Sequence, residues 1–266
     1  MPSIRVNDID IAYEIEGAGD PLLMIMGITG SKYHWLGFDK KLKLDFMTIA
    51  FDNRGVGKTT APPPPYTMKQ MTADAAGLLD ALSIERVHVF GVSMGGMIAQ
   101  ELALSHPDRV RSLVLGCTHF GGTGQIMPPP EVIERAFILS GKGAERAMQD
   151  ILSVNLTPEF MKERPEVVAH LVQYGLENRM KRDGFAGQMS AVSDHDTAAR
   201  LEAIKVPTFI IAGDKDELIP PENSVELAGR IAQARLTLLP GIGHMFWVEA
   251  PDTAAHHVTN FIRSQA

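Results

Sequence analysis

Short runs of apolar residues alternate with helical patterns along most of this 266-residue chain. This alternation is typical of a parallel sheet covered by helices, and continuous apolar runs indicate strands that are buried on both faces. We therefore predict an α/β fold. The predicted strands cover residues 22–26, 47–51, 87–92, 112–116, 208–212 and 236–239, and the helical patterns between them cover residues 68–82, 94–105, 222–231 and 251–264.

The first two predicted strands differ from the others. Residues 3–7 and 9–16 are joined through the dipeptide Asn7-Asp8, and apolar residues alternate along the second run. Such a short connection favours an antiparallel hairpin. We therefore expect a sheet of eight strands that begins antiparallel and continues as a parallel sheet.

One long stretch breaks the alternation. Residues 119–205 carry no strong strand signal, whereas helical patterns recur at 131–139, 143–152, 165–175 and 182–192. A loop of this length without structure would be unusual in a compact domain. We therefore predict a helical cap at residues 119–205, inserted in a core formed by residues 1–118 and 206–266.

Charge and cysteine content exclude several classes of protein. The net charge is -7 and the basic residues are scattered, which argues against a nucleic-acid partner. No apolar run approaches the roughly 20 residues that span a membrane, and no secretory signal is evident, so we expect a cytoplasmic protein. Cys117 is the single cysteine, which excludes an intrachain disulfide and a cysteine-based zinc cage.

The strongest chemical signal is the sequence G-V-S-M-G at residues 91–95. It follows the predicted strand 87–92 and opens the predicted helix 94–105, which is the strand–turn–helix context of a nucleophile elbow. Glycines are needed beside the serine because the turn is too tight for Cβ atoms. We therefore predict that Ser93 is a nucleophile.

A serine hydroxyl needs a base to take its proton. His244 lies in a loop directly after the last predicted strand, where parallel sheets place their functional residues. Other histidines fit less well: His88 lies within a strand, His256 and His257 within a helix, His106 at a helix end, and His195 at a charged helix start. We therefore predict His244 as the base.

Two further groups complete such a site. A carboxylate that orients the base is expected after the strand 208–212, where Asp214, Asp216 and Glu217 all compete. The backbone N–H groups of Met94, which follows the nucleophile, and of Ile28, in the loop after the strand 22–26, are our candidates for holding the developing oxyanion.

Several motifs together resemble those of the α/β-hydrolase superfamily, and the resemblance spans essentially the whole chain. D-N-R-G-V-G at residues 52–57 resembles the D-x-R-G-x-G loop of that family, G-D-K-D at residues 213–216 its acid motif, and G-H at residues 243–244, with Glu249 and Pro251, its ending. The acid motif implies that Asp216 is the carboxylate. One departure is Met26-Gly27, where many members carry His-Gly.

The resemblance implies a serine hydrolase that cleaves a small carboxylic ester or lactone through an acyl-enzyme and needs no cofactor and no metal. The elbow is similar to that of enol-lactonases. Alternatives with the same triad are a cofactor-free perhydrolase, a carbon–carbon bond hydrolase and a ligand-binding signalling protein that hydrolyses slowly. We expect a small-molecule substrate, with Phe120, Met127 and Phe137 of the cap as candidates for its pocket; the oligomeric state stays open.

Overall fold

A computed structural model describes residues 2–137, 141 and 143–265. Its eight strands are β1 Ser3–Val6, β2 Ile9–Glu16, β3 Pro21–Ile25, β4 Met47–Phe51, β5 Val87–Val92, β6 Val110–Gly116, β7 Thr208–Gly213 and β8 Arg235–Leu239. They form one sheet in the order β1-β2-β4-β3-β5-β6-β7-β8. The predicted α/β-hydrolase fold is confirmed.

The direction of the strands changes across the sheet as predicted. β1 and β2 form an antiparallel hairpin, and β2 pairs antiparallel with β4. All later neighbours pair in parallel, from β4 with β3 to β7 with β8. β5 is buried at every position, so a loop that follows it opens above the middle of the sheet.

Helices cover both faces of the sheet in the described residues. Apolar side chains form one large buried cluster on each face, and β5 contributes to both, with Val89 in one cluster and Phe90 in the other. No described helix is long and apolar enough to cross a bilayer. The helices are α1 Phe38–Leu42, α2 Met68–Ala81, α3 Met94–Ser105, α4 Pro130–Phe137, α5 Ala144–Asn155, α6 Pro158–Glu163, α7 Pro165–Glu177, α8 Arg182–Ser193, α9 Glu222–Arg230, α10 Phe246–Glu249 and α11 Pro251–Arg263.

Helices α4 to α8 lie between β6 and β7, in the segment where we predict the cap. The stretches at the start and the end of this segment lie side by side. Gly121 and Asp196 form an isolated antiparallel bridge, and Thr197 donates its N–H to the Phe120 carbonyl at 2.8 Å. The limits of the cap as a domain stay a prediction. The end of the predicted helix 131–139 lies outside the described residues.

Three short helices, α1, α6 and α10, have no counterpart among the predicted elements. Each has six residues or fewer, which is too short for a helical repeat to stand out in a sequence. The predicted helix start at His195 is wrong, since α8 ends at Ser193 and His195 follows it. The charged neighbours of His195 therefore mark the exit from a helix.

Candidate active site

Ser93 occupies a sharp turn between β5 and α3. Its backbone has φ +55° and ψ -123°, a conformation that residues other than glycine rarely adopt. An added Cβ on Gly91 would lie 2.1 Å from the Gly95 carbonyl oxygen, and one on Gly95 would lie 2.1 Å from that of Ile25. The Thr118 hydroxyl donates to the Ser93 carbonyl at 2.8 Å. The glycines thus make the strained turn possible, and Thr118 braces it.

The turn after β3 passes directly beside Ser93. An added Cβ on Gly27 would lie 3.0 Å from the Ser93 Cβ and 3.5 Å from its Oγ. The turn is closed by the Gly30 N–H, which donates to the Gly27 carbonyl at 3.2 Å. Ile28 follows Gly27 directly, and Met94 begins α3, so the Met94 N–H has no partner within its helix. The two turns that carry these amides therefore meet at Ser93.

His244 and Asp216 form a buried pair. The Nδ1 of His244 lies 2.7 Å from Oδ2 of Asp216, and both residues are 3% exposed. The other carboxylate oxygen, Oδ1, accepts the N–H groups of Leu218 and Ile219 at 3.0 and 2.8 Å. The carboxylate is therefore fixed from the backbone side and orients the imidazole through Nδ1.

The Asp216 carboxylate stabilises the charged form of the His244 ring. Burial by itself disfavours the imidazolium, but the Asp216 carboxylate opposes this effect, and the balance raises the pKa of His244 well above its ordinary value. A raised pKa means that the neutral, proton-accepting ring prevails only at a higher pH than for a free histidine.

Cys117 lies against the same pair. Its Sγ and ligand atoms of Asp216 and His244 all lie within 4.8 Å of one another, a donor set that a zinc ion would accept. The 2.7 Å between His244 and Asp216, however, is shorter than the roughly 3.4 Å between two such ligands of one tetrahedral zinc. The geometry fits a charge-assisted hydrogen bond. Burial raises the pKa of the Cys117 thiol, which keeps it neutral near pH 7.

Cys117 also links the buried pair to the turn that carries Ser93. The Cys117 side chain contacts the His244 ring and the Ser93 backbone. In the part of the chain that the structure describes, no hydrogen bond joins the Ser93 hydroxyl to the ring, whose partners are Asp216 and Cys117. Catalytic hydrogen bonds are often long without substrate and tighten in the complex. All three predicted side chains are thus at one end of the sheet.

The chain matches the family model described as the alpha/beta hydrolase fold over residues 20–251. The chain belongs to the α/β-hydrolase family. It is 31% identical to "Putative carbamate hydrolase RutD" of Azorhizobium caulinodans (95% of this chain and 94% of that one), and 30% identical to a poly(3-hydroxyalkanoate) depolymerase of Ectopseudomonas oleovorans (92% and 85%). The solved enol-lactonase of Burkholderia xenovorans LB400 is 28% identical, with a TM-score of 0.88 and coverage of 98% and 100%. This protein is therefore a hydrolase.

Met26 stands where many members of the α/β-hydrolase family carry histidine, and the structure shows what replaces that support. The Asn53 side-chain amide donates to the Met26 carbonyl at 2.9 Å. The Met26 side chain is buried and so close to Gly30 that a Cβ there would lie 2.5 Å from it. At Met26, the turn beside Ser93 is therefore supported by the hydrogen bond from Asn53 and by packing of the methionine side chain.

The family ending that contains Glu249 has a physical role in this structure. Its Oε1 accepts the N–H groups of Gly243 and Thr157 at 3.2 and 3.0 Å, and its Oε2 accepts the Thr157 hydroxyl at 2.7 Å. Thr157 caps α6. Glu249 therefore ties the loop that carries His244 to the segment between β6 and β7, a link that the motif alone did not indicate.

Four of the residues that competed with His244 and Asp216 in the sequence are not part of the buried pair. His88 pairs with the Ser112 hydroxyl at 2.8 Å within the sheet, and the ring nitrogens of His195 are buried without a hydrogen-bond partner in the described residues. Asp214 accepts the Gly241 N–H at 2.7 Å. Glu217 pairs with Arg135 at 2.9 Å. None of these four is paired with His244.

The three cap residues suggested for the pocket lie in different surroundings, and their role in a pocket stays a prediction. Phe120 is fully buried in a core cluster, with the Arg230 guanidinium 4.5 Å from its ring centroid, and Met127 is 57% exposed. Phe137 packs with a small cluster near Leu218, close to Asp216 in the chain. These positions follow from tertiary packing, which a lone aromatic residue in a sequence does not reveal.

Sequence reasoning missed a buried ion pair next to the turn. The Lys32 Nζ lies 3.2 Å from Oδ2 of Asp52, with both side chains 1% exposed. Asp52 also accepts the N–H groups of Lys32 and Lys58 at 2.8 and 2.9 Å. Lys32 follows the Gly27–Gly30 turn by two residues, so the pair anchors that turn to the D-N-R-G-V-G loop.

We expect Lys32→Met to lower the free energy of unfolding by about 3–5 kcal/mol, because it leaves the Asp52 carboxylate buried without its counter-ion. Urea denaturation measures the change. The matched control is Arg5→Met, since Arg5 and its partner Asp10 are 62% and 58% exposed, and exposed pairs contribute about 1 kcal/mol or less. A loss below about 1 kcal/mol for Lys32→Met would contradict the anchoring role.

Proposed function

We propose that this protein is a serine hydrolase that cleaves a small carboxylic ester or lactone through an acyl-enzyme. The observation that carries the proposal is the buried His244–Asp216 pair at 2.7 Å, located at the sheet end where the strained elbow presents Ser93. Serine becomes a strong nucleophile only beside such an oriented base. The shared geometry therefore supports Ser93, His244 and Asp216 as a catalytic triad.

In the proposed reaction the Ser93 Oγ attacks the substrate carbonyl while Nε2 of His244 takes the hydroxyl proton. The resulting oxyanion accepts hydrogen bonds from the N–H groups of Ile28 and Met94. As the carbon–oxygen bond of the ester breaks, His244 gives its proton to the leaving alcohol. Asp216 stabilises the imidazolium throughout and keeps its own charge.

A water molecule completes the cycle. His244 takes one proton from the water, whose oxygen attacks the acyl carbon of the Ser93 ester. The second tetrahedral intermediate collapses to the free acid, and the Ser93 oxygen recovers the proton from His244. Every proton released in one step is consumed in a later one, so the proposed reaction uses the protein's own groups and water.

The substrate class rests on two observations. The relatives are named for a carbamate, a polyester and an enol-lactone, all of which carry a carbonyl bonded to a heteroatom. Ser93 is only 8% exposed, which favours a small substrate that enters a covered site. Because relatives with this fold differ in substrate, a panel of esters, lactones and carbamates is the direct comparison.

The first test is labelling with a fluorophosphonate probe followed by peptide mapping. We expect the label on Ser93, together with multiple turnovers above about 1 per second on short nitrophenyl esters or lactones. Label on another residue would contradict the mechanism. A single turnover followed by a stable protein complex would favour a signalling receptor, whereas faster consumption of hydrogen peroxide than of water as acyl acceptor would favour a perhydrolase.

A diketone added to the panel separates the carbon–carbon bond hydrolase. That activity requires cleavage of a carbon–carbon bond of the diketone at a rate above that of the esters. The residue before the nucleophile is Val92, whereas carbon–carbon bond hydrolases of the family often carry asparagine there, which favours the ester or lactone.

A further inference from the structure

Gln188 of α8 joins two loops of the core, although it lies in the segment between β6 and β7. It is fully buried. Its Oε1 accepts the Thr29 N–H at 2.9 Å, and its Nε2 donates to the Arg54 carbonyl at 2.9 Å. Both ends of the amide are therefore used, and the amide has one defined orientation.

Glycines bring α8 close enough for these bonds. An added Cβ on Gly184 would lie 2.1 Å from the Gly55 carbonyl oxygen, and one on Gly187 would lie 2.4 Å from the Tyr66 ring. A side chain at either position would push the helix away from the core. The pattern G-x-x-G-Q at residues 184–188 therefore sets the distance at which Gln188 reaches the two loops.

The Arg54 side of this link is rigid. The Arg54 guanidinium donates to both oxygens of Asp74 at 2.7 and 3.0 Å, and it also pairs with Asp8 at 2.8 Å. Arg54 and Asp74 are buried. Gln188 thus connects Thr29 to a loop that is itself held in place by ion pairs.

Thr29 needs such a restraint. It is the third residue of the turn closed by the Gly30 N–H and the Gly27 carbonyl, and its φ is +64°. A positive φ at this position alone is the mark of a type II turn, which normally takes glycine there. A β-branched residue in this region is strained. The bond to Gln188 holds the peptide between Ile28 and Thr29 in the orientation that imposes this φ.

We infer that Gln188 is a positioning residue for the oxyanion hole, an inference that rests on the function proposed above. Without its acceptor, the peptide between Ile28 and Thr29 is free to rotate to the type I form, in which Thr29 has an ordinary negative φ. The Ile28 N–H belongs to the preceding peptide, which shares the Ile28 Cα with the rotating one, so relaxation of the turn shifts this N–H relative to Ser93. The position of α8 is therefore part of the geometry that stabilises the transition state.

The test compares Gln188→Met, which keeps the length of the side chain and loses both hydrogen bonds, with Gln173→Met. Gln173 lies on α7, is exposed and bonds only Glu177 among the described residues. We expect Gln188→Met to lower kcat on a short nitrophenyl ester by about 10–100-fold and to change KM by less than about threefold, because the lost interaction acts in the transition state. The rate of fluorophosphonate labelling should fall in parallel.

A second substitution separates positioning from simple packing. Glycine adopts a positive φ without strain, so Thr29→Gly added to Gln188→Met should restore kcat at least about fivefold over Gln188→Met alone. A role limited to docking α8 predicts no such recovery. If Gln188→Met does not fold, kcat is measured on Gln188→Glu, which loses the amide donor to Arg54 and keeps the acceptor for Thr29. Positioning predicts kcat within about fivefold of the wild type, and a loss above about tenfold contradicts it.

Failure of the proposed function and failure of the positioning role give different results. A wild-type protein that neither turns over esters nor labels at Ser93 contradicts the proposed function. An active wild type, with Gln188→Met within twofold of it in kcat or with no recovery from Thr29→Gly, overturns the positioning role alone. A tenfold loss with recovery supports it.

Discussion

Ser93→Ala is expected to lower kcat on the best ester of the panel by about 10⁵–10⁶-fold and to abolish fluorophosphonate labelling, because no hydroxyl remains to form the acyl-enzyme. Alanine keeps the Cβ and the backbone of the elbow, so the fold should be unchanged. Steady-state kinetics and mass spectrometry of the labelled peptide measure the effect. Residual rates should come from the oxyanion hole and binding alone.

The control for this substitution is Ser105→Ala. Ser105 ends the same helix α3, is exposed, and donates its hydroxyl to the Glu101 carbonyl at 2.6 Å. Its replacement should leave kcat within about twofold of the wild type. If Ser93→Ala kept a tenth of the wild-type kcat, the nucleophile would be a different residue and the acyl-enzyme route through Ser93 would be wrong.

Asp216→Asn is expected to lower kcat by about 10⁴-fold, because the amide no longer stabilises the imidazolium or selects its tautomer. The pH profile provides a second readout. Asp216 raises the pKa of His244, so kcat/KM of the wild type should rise with pH through a midpoint above about 6.5, the ordinary value for histidine. Removing the carboxylate lowers that pKa and should move the midpoint to lower pH.

Glu217→Gln is the matched control for Asp216→Asn. Glu217 is the next residue, is exposed and pairs with Arg135 rather than with His244. We expect kcat within about twofold of the wild type and an unchanged midpoint. A midpoint that stays in place in Asp216→Asn would show that another group titrates, and it would remove His244 as the base.

Most of the sheet was predictable from the sequence. The limits of β2, β4 and β5 agree with the prediction at both ends, and those of the other strands differ by at most two residues. Buried parallel strands carry continuous apolar runs, which are conspicuous among polar helices. The short helices and the position of His195 were less predictable, since their place depends on what packs against them.

In the candidate site, too, some residues were predictable from the sequence and others were not. Ser93, His244 and Asp216 were nominated from motifs, and the structure puts the last two 2.7 Å apart; their catalytic roles stay predictions. Gln188 and Lys32 were not nominated, because their partners are 159 and 20 residues away in the chain. A polar residue within a helical or loop pattern carries no signal of a distant partner.

Local chain chemistry therefore determined the succession of strands and helices and the strained turn at Ser93, because strand burial and the need for glycine depend on neighbouring residues. Only the tertiary structure decided which carboxylate meets His244, that Cys117 lies against that pair, and that α8 reaches the turn beside Ser93 through Gln188. These contacts join residues far apart in the sequence, and their distances are set by how the helices pack on the sheet.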